Sequence, residues 1–240
     1  MAPLPAKKTI TDAGPPLQEP HWPERFKRLR EICATLPQQQ AAMFMLADEG
    51  YESVFEQVVM AIISVRTIEQ VTLPASRRLL NAAKTPAAMA DLDEAEITRL
   101  IEPATFAGAK ARDIRAIAVA VRDQHNGVLP CDVNVLQTFR GVGPKVANLA
   151  VAASKACGEP AGIPVDIHVH RVANRWGVIR TKTPEKSQFA LEAILPRTEW
   201  AEINRLLVPF GKYVCTGTRP KCSTCPLRPM CQQVGVENPR

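Results

Sequence analysis

The sequence predicts an all-α protein, and two observations lead to that prediction. Apolar residues recur at helical spacing through most of the 240 residues. Stretches with the period of two that marks β-strands are scarce, and the closest one, residues 162–165, is short and contains a proline. Apolar residues make up 46% of the chain, which is enough for a globular protein with a sizeable core.

The helical pattern begins at Glu24, with Phe26 and Leu29 on its apolar face, and ends at Pro37. Residues 52–65 are apolar around most of the helix circumference, which predicts a central, buried helix. The residues before the first helix, 1–23, contain six prolines and predict a flexible tail. Further amphipathic helices are predicted over residues 75–84, 86–91, 94–102, 110–124, 184–195 and 198–208.

The charge balance favours a polyanionic partner without proving one. The 30 Lys and Arg residues outnumber the 24 Asp and Glu residues, which gives a net charge of +6 and a pI near 9.0. No apolar stretch approaches the length of a membrane helix, and no secretory signal is evident. We therefore expect a cytoplasmic protein, nucleoid-associated if bacterial, that has no contact with a membrane.

The stretch Gly141-Val142-Gly143-Pro144-Lys145 predicts a tight hairpin between two helices. Asp132 can cap the helix before it, and Pro144 sits where a helix tolerates proline best, in the first turn. The first amides of the second helix lack intrahelical partners and lie at the positive end of its dipole, which suits a phosphate oxygen. From the G-x-G pattern alone, an ordinary helical turn is as good an interpretation as an anion site.

Lys145 lies in the first turn of the second helix, where the helix dipole disfavours a positive charge. A neutral lysine amine is a nucleophile that can form a Schiff base. The alternative role is a surface lysine that touches a phosphate. A second candidate is Asp166, in the stretch Val165-Asp166-Ile167-His168, which can cap a helix, assist a nucleophile, or do both.

Four of the seven cysteines are crowded into 17 residues near the carboxyl end. They are separated by six, two and five residues, at Cys215, Cys222, Cys225 and Cys231. Such crowding favours metal binding over disulfides. The spacing alone leaves a tetrahedral zinc site and an iron–sulfur cluster about equally supported.

These features together resemble the endonuclease III branch of the helix-hairpin-helix DNA glycosylases, which are enzymes of base excision repair. The resemblance covers the chain from about Pro23 to Cys231 and is based on the hairpin with Lys145, on Asp166 and on the cysteine spacing. It implies a [4Fe–4S] cluster on the four crowded cysteines, and so it decides between zinc and iron.

The resemblance also implies a bifunctional mechanism. The residue that matches Lys145 attacks C1′ of a flipped nucleotide and displaces the base, and the residue that matches Asp166 assists the attack and supports the cationic sugar. The resulting Schiff base allows β-elimination, which cuts the strand 3′ to the lesion. The expected substrate is double-stranded DNA that contains oxidised pyrimidines or abasic sites.

The fold that the resemblance implies has two helical domains flanking a DNA-binding cleft. Residues 48–156 form a six-helix barrel with the helix-hairpin-helix at 132–156, while residues 24–47 and 157–240 form the iron–sulfur domain. A monomer is expected. The residues expected to contact DNA lie in the hairpin, near the lesion and in the cysteine loop: Arg66, Phe106, Arg140, Gly141, Val142, Gly143, Arg219 and Lys221.

Some residues depart from the family pattern near the lesion. Arg66 stands where many members have a glutamine that fills the gap left by the flipped base, and Phe106 matches a wedge that is usually aliphatic. Phe139 and Arg140 replace the usual Leu-Pro before the hairpin. An enzyme for mismatched or alkylated bases, a protein that is mainly an abasic-site lyase, and an inactive iron–sulfur DNA-binding protein are therefore the alternatives.

Overall fold

A computed structural model of the chain describes residues 21–240, and its regular structure over that range is entirely helical. The prediction of an all-α protein is confirmed. Of the predicted tail, residues 1–20 lie outside the described residues, but its end is corrected. The first helix begins at Trp22, whose buried indole donates from Nε1 to the Ile194 carbonyl at 2.8 Å. No helix in the described range is long and apolar enough to cross a membrane.

Twelve α-helices occur between residues 21 and 240, and we number them in chain order. Two short 3₁₀ turns, Arg197–Glu199 and Arg228–Met230, complete the regular structure of this range. The helices are α1 (Trp22–Ala34), α2 (Ala42–Asp48), α3 (Val54–Ser64), α4 (Glu69–Ala82), α5 (Pro86–Asp91), α6 (Glu94–Ile101), α7 (Ala107–Gln124), α8 (Val133–Leu136), α9 (Pro144–Ala153), α10 (Ile167–Trp176), α11 (Pro184–Glu192) and α12 (Trp200–Tyr213).

The chain divides into two compact units. The first contains residues up to Ala41 together with Val165–Arg240, and the second contains Ala42–Pro164. Domain bounds after residues 47 and 156, as expected from the sequence, stay a prediction. We call the two parts the terminal unit and the central unit.

The central unit is built around α3. All residues of this helix except Ser64 are buried, because its sequence is apolar on nearly every face. Ser53 begins the helix with a capping box, in which its hydroxyl accepts from the Glu56 amide while the Glu56 carboxylate accepts from the Ser53 amide. Helices α4, α7 and α9 pack against α3. The central buried helix predicted for residues 52–65 is therefore present.

The terminal unit packs α12 against α1 and α10. Arg25 of α1 is fully buried, lies 4.9 Å from the ring centre of Trp176, and donates to the Met230 carbonyl. The cation–π contact and the hydrogen bond offset part of the cost of burying this charge. Arg25 thereby holds α1 against α10 and against the segment that contains the last of the crowded cysteines.

Candidate active site

The hairpin predicted between Phe139 and Lys145 is present, and its two glycines have different roles. Gly141 has φ of +83°, a conformation that favours glycine, and so it makes the turn. Gly143 is extended, with φ of −85°, and a Cβ there would meet no atom within 4 Å. Its lack of a side chain is therefore not needed for the turn, but it leaves the backbone open to close approach by another molecule.

The first turn of α9 presents backbone amides without protein partners. Gly143 is the N-cap and supplies no side-chain hydrogen bond, and the first backbone bond of the helix runs from the Ala147 amide to the Gly143 carbonyl. Within residues 21–240, the amides of Gly143, Lys145 and Val146 donate no hydrogen bond. Three exposed or half-exposed donors at the positive end of a ten-residue helix are an arrangement that suits an anion.

Lys145 follows Pro144 in the same turn, and its side chain is exposed. No hydrogen bond or ion pair joins it to any residue in the described part of the chain. An amine without a carboxylate partner is free to react, and it lies beside the amides that could hold a phosphate. The geometry of the hairpin is therefore compatible with the predicted nucleophile.

Two residues of the hairpin that are predicted to contact DNA have partners within the protein. Val142 is 4% exposed and its amide donates to the Phe139 carbonyl, so neither its side chain nor its N–H is available to DNA. Arg140 is exposed, but its Nε lies 3.4 Å from Oδ1 of Asp113 on α7. Such a surface pair contributes about 1 kcal/mol or less, so it does not prevent Arg140 from turning toward a phosphate.

A disulfide that was not predicted from the sequence joins the two ends of the hairpin segment. Cys131, just before α8, is bonded to Cys157, just after α9, with their Cα atoms 5.6 Å apart. The bridge therefore encloses both helices of the motif. Spacing alone could not reveal it, because a separation of 26 residues is compatible with many folds.

This disulfide is expected to stabilise the central unit. In the chain-entropy model, a loop of this length contributes about 3.5 kcal/mol. Reduction, or replacement of both Cys131 and Cys157 by serine, should therefore lower the unfolding temperature by several degrees, measured by calorimetry of the oxidised and reduced protein. The double variant serves as the control for reduction. It lacks this disulfide, so reductant cannot lower its unfolding temperature by breaking it. Equal unfolding temperatures for oxidised wild type and double variant would contradict the expectation.

Asp166 is the N-cap of α10, as predicted. Its Oδ1 accepts from the amides of His168 at 2.8 Å and Val169 at 2.9 Å. Among the described residues, no hydrogen bond ends on Oδ2, and the side chain is half-buried. One oxygen therefore holds the helix start while the other remains an acceptor, so that Asp166 can cap and act chemically at once.

Arg66 and Phe106, the predicted lesion-side residues, both have left-handed backbone conformations. Arg66 follows α3 with φ of +54°, and Phe106 precedes α7 with φ of +58°. Positive φ at a bulky residue costs about 1–3 kcal/mol and is concentrated at functional sites. Phe106 is 62% exposed. An exposed aromatic ring held on a strained turn is the geometry of a wedge for a base stack.

The four crowded cysteines are not disulfide-bonded, and all four line one cavity in the terminal unit. Nitrogen donors approach two of the sulfurs. Nη1 of Arg175 is 3.4 Å from Sγ of Cys215, and the Gln233 amide is 3.4 Å from Sγ of Cys231. N–H···S bonds of this kind stabilise thiolates that bind metal. The donor set is therefore compatible with a metal centre, although no three metal-binding side chains in residues 21–240 lie close enough to hold a single ion.

Three of the four thiols, those of Cys222, Cys225 and Cys231, are disfavoured as free thiolates. Burial raises the pKa of Cys231 to about 11 and raises the pKa of Cys222 and Cys225 above the usual range. A positive group is needed to hold such sulfurs as thiolates. Arg175 is largely buried and also donates to the carbonyls of Thr216 and Gly217, so it fixes the start of the cysteine loop.

Arg219 and Lys221 lie on the loop between the first two of these cysteines, and both are exposed. Neither side chain makes a hydrogen bond or ion pair with the described residues. Arg219 has φ of +46°, and its carbonyl accepts from the Thr216 hydroxyl. The loop thus presents two uncompensated cations on a shaped turn, which is compatible with a DNA backbone contact but does not identify one.

Comparison with known proteins identifies a class of base excision DNA repair proteins, in agreement with the helical fold and the hairpin. Residues 59–197 match the model of the HhH-GPD superfamily base excision DNA repair proteins. The chain is 38% identical to "Endonuclease III-like protein 1" of Bos taurus over 179 residues, which is 74% of this chain and 58% of that protein. The chain therefore spans less than two thirds of the length of this relative.

For a shorter relative and a solved structure, the match includes most of both proteins. "Endonuclease III" of Thermotoga maritima is 32% identical over 74% of this chain and 82% of its own length. The structure of a non-covalent endonuclease III–DNA complex superposes with a TM-score of 0.74 and 25% identity, over 90% of this chain and 96% of that one. The chain belongs to the endonuclease III family, within the HhH-GPD superfamily of base excision DNA repair proteins.

Proposed function

We propose that this protein is a bifunctional DNA glycosylase and abasic-site lyase that excises oxidised pyrimidines from double-stranded DNA. The observation that supports the proposal most directly is the hairpin, where the exposed and unpaired Lys145 lies beside backbone amides that have no protein partner. Membership of the endonuclease III family agrees with this chemistry.

In the proposed reaction, the neutral amine of Lys145 attacks C1′ of the flipped nucleotide. The C1′–N bond to the base breaks, and the base leaves with the bonding electrons and is protonated. The sugar ring then opens to an iminium ion on Nζ. Loss of a proton from C2′ expels the 3′ phosphate, and hydrolysis of the iminium returns the lysine.

Asp166 supports the first step in this scheme. Its Oδ2 accepts no hydrogen bond from the described residues, so it can stabilise positive charge that develops on the sugar. The cap bonds to Oδ1 fix the orientation of the carboxylate. A preorganised carboxylate of this kind acts without the cost of reorienting at the moment of reaction.

Duplex DNA is the proposed partner, and the solved structure of endonuclease III that this chain resembles is of a complex with DNA. The amides of Gly143 and Lys145 would bind a phosphate, with Arg140, Arg219 and Lys221 as further cations. Arg66 and Phe106 would enter the base stack beside the flipped nucleotide. Contacts of this kind position the enzyme without reading sequence, so binding should weaken steeply as salt increases.

A [4Fe–4S] cluster on Cys215, Cys222, Cys225 and Cys231 completes the proposal. Four free thiols around one cavity and the N–H donors that approach two of the sulfurs support a metal centre, and membership of the endonuclease III family favours iron over zinc. The cluster would supply the positive charge that favours the thiolate form of these half-buried sulfurs. Its proposed role is to hold the cysteine loop in shape.

The cluster assignment is tested by Cys225→Ser. Loss of one thiolate ligand should remove the brown colour and most of the iron and acid-labile sulfide, measured by metal analysis of the pure protein. The matched control is Cys33→Ala, since Cys33 is a buried cysteine of the same unit that lies on α1 and bonds to the Leu206 carbonyl. A Cys225→Ser protein that keeps its iron would remove this ligand from the set.

The proposed function is tested by borohydride trapping of the unmodified protein on three duplexes, which carry thymine glycol, an abasic site or no lesion. Covalent adducts are expected with both lesions and not with intact DNA, because only the lesions yield a Schiff base. Trapping on the abasic site alone would make the protein chiefly a lyase or a glycosylase for another base. An absence of adducts on both would contradict the Schiff-base mechanism and favour a DNA-binding protein without catalysis.

A further inference from the structure

Two loops of the central unit place exposed groups around Arg66 and Phe106. The loop after α3 exposes Val65 and Ile68 on either side of Arg66 and Thr67, with exposed fractions of 43% and 67%. The loop before α7 exposes Phe106. Apolar side chains on strained turns do not hold themselves in place, because no packing against the core fixes them. Some other group has to fix these loops.

Lys110, in the first turn of α7, is that group. Its residue is 6% exposed, and its Nζ donates to the Ile63 carbonyl at 2.6 Å, the Val65 carbonyl at 2.7 Å and the Thr67 hydroxyl at 2.8 Å. These three bonds use every N–H of the ammonium group. They satisfy the Ile63 carbonyl at the end of α3, to which no other hydrogen bond runs from the described residues, and they lie on both sides of Arg66.

The Thr67 hydroxyl extends this connection to the second loop. Its Oγ1 accepts from Lys110 and also from the backbone amide of Thr105 at 3.2 Å, one residue before Phe106. It donates in turn to the Val65 carbonyl at 3.4 Å. The loop that presents Arg66 and the loop that presents Phe106 are therefore joined through one amine and one hydroxyl.

Burial of this amine is costly and is not compensated by a carboxylate. Desolvation lowers the pKa of Lys110 to about 8, and no ion pair joins its Nζ to an acidic residue in the described range. At neutral pH the amine is still mostly protonated, so all three N–H donors are present. A lysine buried only to bind loop oxygens has a positioning role and is not part of a surface charge pattern.

We propose that Lys110 is a positioning residue that fixes the Arg66 and Phe106 loops together for insertion into damaged DNA. The inference rests on the proposed function, since it assigns those loops to the lesion. Lys110 touches no reacting atom in this proposal. It acts through its hydrogen bonds to the Val65 carbonyl and the Thr67 hydroxyl. These bonds couple the insertion of Arg66 into DNA to the insertion of Phe106.

The first test measures the loops without DNA. In Lys110→Met, which keeps the chain length and removes the donors, amide hydrogen exchange over residues 64–68 and 104–107 should accelerate about tenfold or more. Thr67→Val should accelerate exchange at the Thr105 amide in particular. The controls are Lys84→Met, which loses a bond to the Gly50 carbonyl, and Thr98→Val, which loses one to Glu94. Neither control should alter exchange in the two loops.

The second test measures insertion into DNA. A duplex carries a tetrahydrofuran abasic analogue opposite 2-aminopurine, whose fluorescence reports on the unpaired base. Lys110→Met and Thr67→Val should each weaken binding about tenfold and reduce the fluorescence change by more than half. The double variant should be no more than twofold weaker than Lys110→Met, because both act through one connection.

The outcomes separate this inference from the proposed function. Normal exchange and normal fluorescence in both variants, with wild type trapping abasic DNA, would overturn the role of Lys110 alone. Faster exchange with unchanged DNA binding would also overturn it, because the loops would then need no fixed position. Failure of wild type to trap either lesion would contradict the proposed function instead. If Lys110→Met does not fold, Thr67→Val, on a half-exposed loop residue, decides the question.

Discussion

Lys145→Gln is expected to abolish covalent trapping on abasic and damaged DNA while leaving DNA affinity within about threefold of wild type. Glutamine has no amine that can form an iminium, so the loss should be complete. The side chain is exposed and has no partner among the described residues, so the replacement should change the free energy of unfolding by no more than about 0.5 kcal/mol. Borohydride trapping and titration with a labelled duplex measure the two effects.

The control for this variant is Lys186→Gln. Lys186 is also an exposed lysine in the first turn of a helix that begins with proline, α11, but it lies outside the hairpin. It should trap like wild type. Adduct formation by Lys145→Gln at the wild-type level would remove Lys145 as the nucleophile, and mapping of the adduct would then identify another amine.

The local features of the hairpin could be predicted from the sequence because they depend on residues that are close together along the chain. Asp132 caps α8, with Oδ1 accepting from the Asn134 amide, and Pro144 begins α9, both as predicted. Asp166 caps α10 in the same way. Capping and turn formation involve residues two or three positions apart, so residue type and spacing carry the information. The catalytic roles of Lys145 and Asp166 stay predictions.

Helix boundaries were harder to predict from the sequence where tertiary packing overrides local helix preference. Helix α2 was not predicted, since residues 42–48 are apolar with almost no polar face to give a period, and five of the seven are buried. Helix α4 begins at Glu69, whereas the sequence predicts 75–84, because Pro74 lies inside the helix instead of before it. Tertiary contacts to α3 and α6 stabilise this helix despite the missing amide.

The long-range connections of the central unit could not be predicted at all. The Cys131–Cys157 bond and the Lys110 bonds to the α3 loop join residues that are 26 and 43–47 positions apart. Nothing in the residue types distinguishes Lys110 from the other lysines until burial is known. Both connections bear on the proposed site, since one closes the hairpin segment and the other fixes the lesion-side loops.

Asp166→Asn is expected to slow base release at least about 100-fold under single-turnover conditions, without loss of the fold. Asparagine keeps the oxygen that accepts from His168 and Val169, and it caps helices about as well as aspartate. It removes the charge and replaces Oδ2 with an amide nitrogen that donates, so the lost rate measures what Oδ2 contributes to the attack and to the cationic sugar. Rapid-quench measurement of base release from a thymine glycol duplex, with the unfolding temperature beside it, tests the expectation.

Two further variants separate the chemical role of Asp166 from its structural role. Asp93→Asn changes a second capping aspartate, which accepts from the Glu96 amide at 2.7 Å on α6, and should leave the rate unchanged. Asp166→Ala loses the cap as well as the charge, so its free energy of unfolding should fall by about 1 kcal/mol while its rate matches Asp166→Asn. A normal rate in Asp166→Asn, with destabilisation in Asp166→Ala, would leave Asp166 as a helix cap and nothing more.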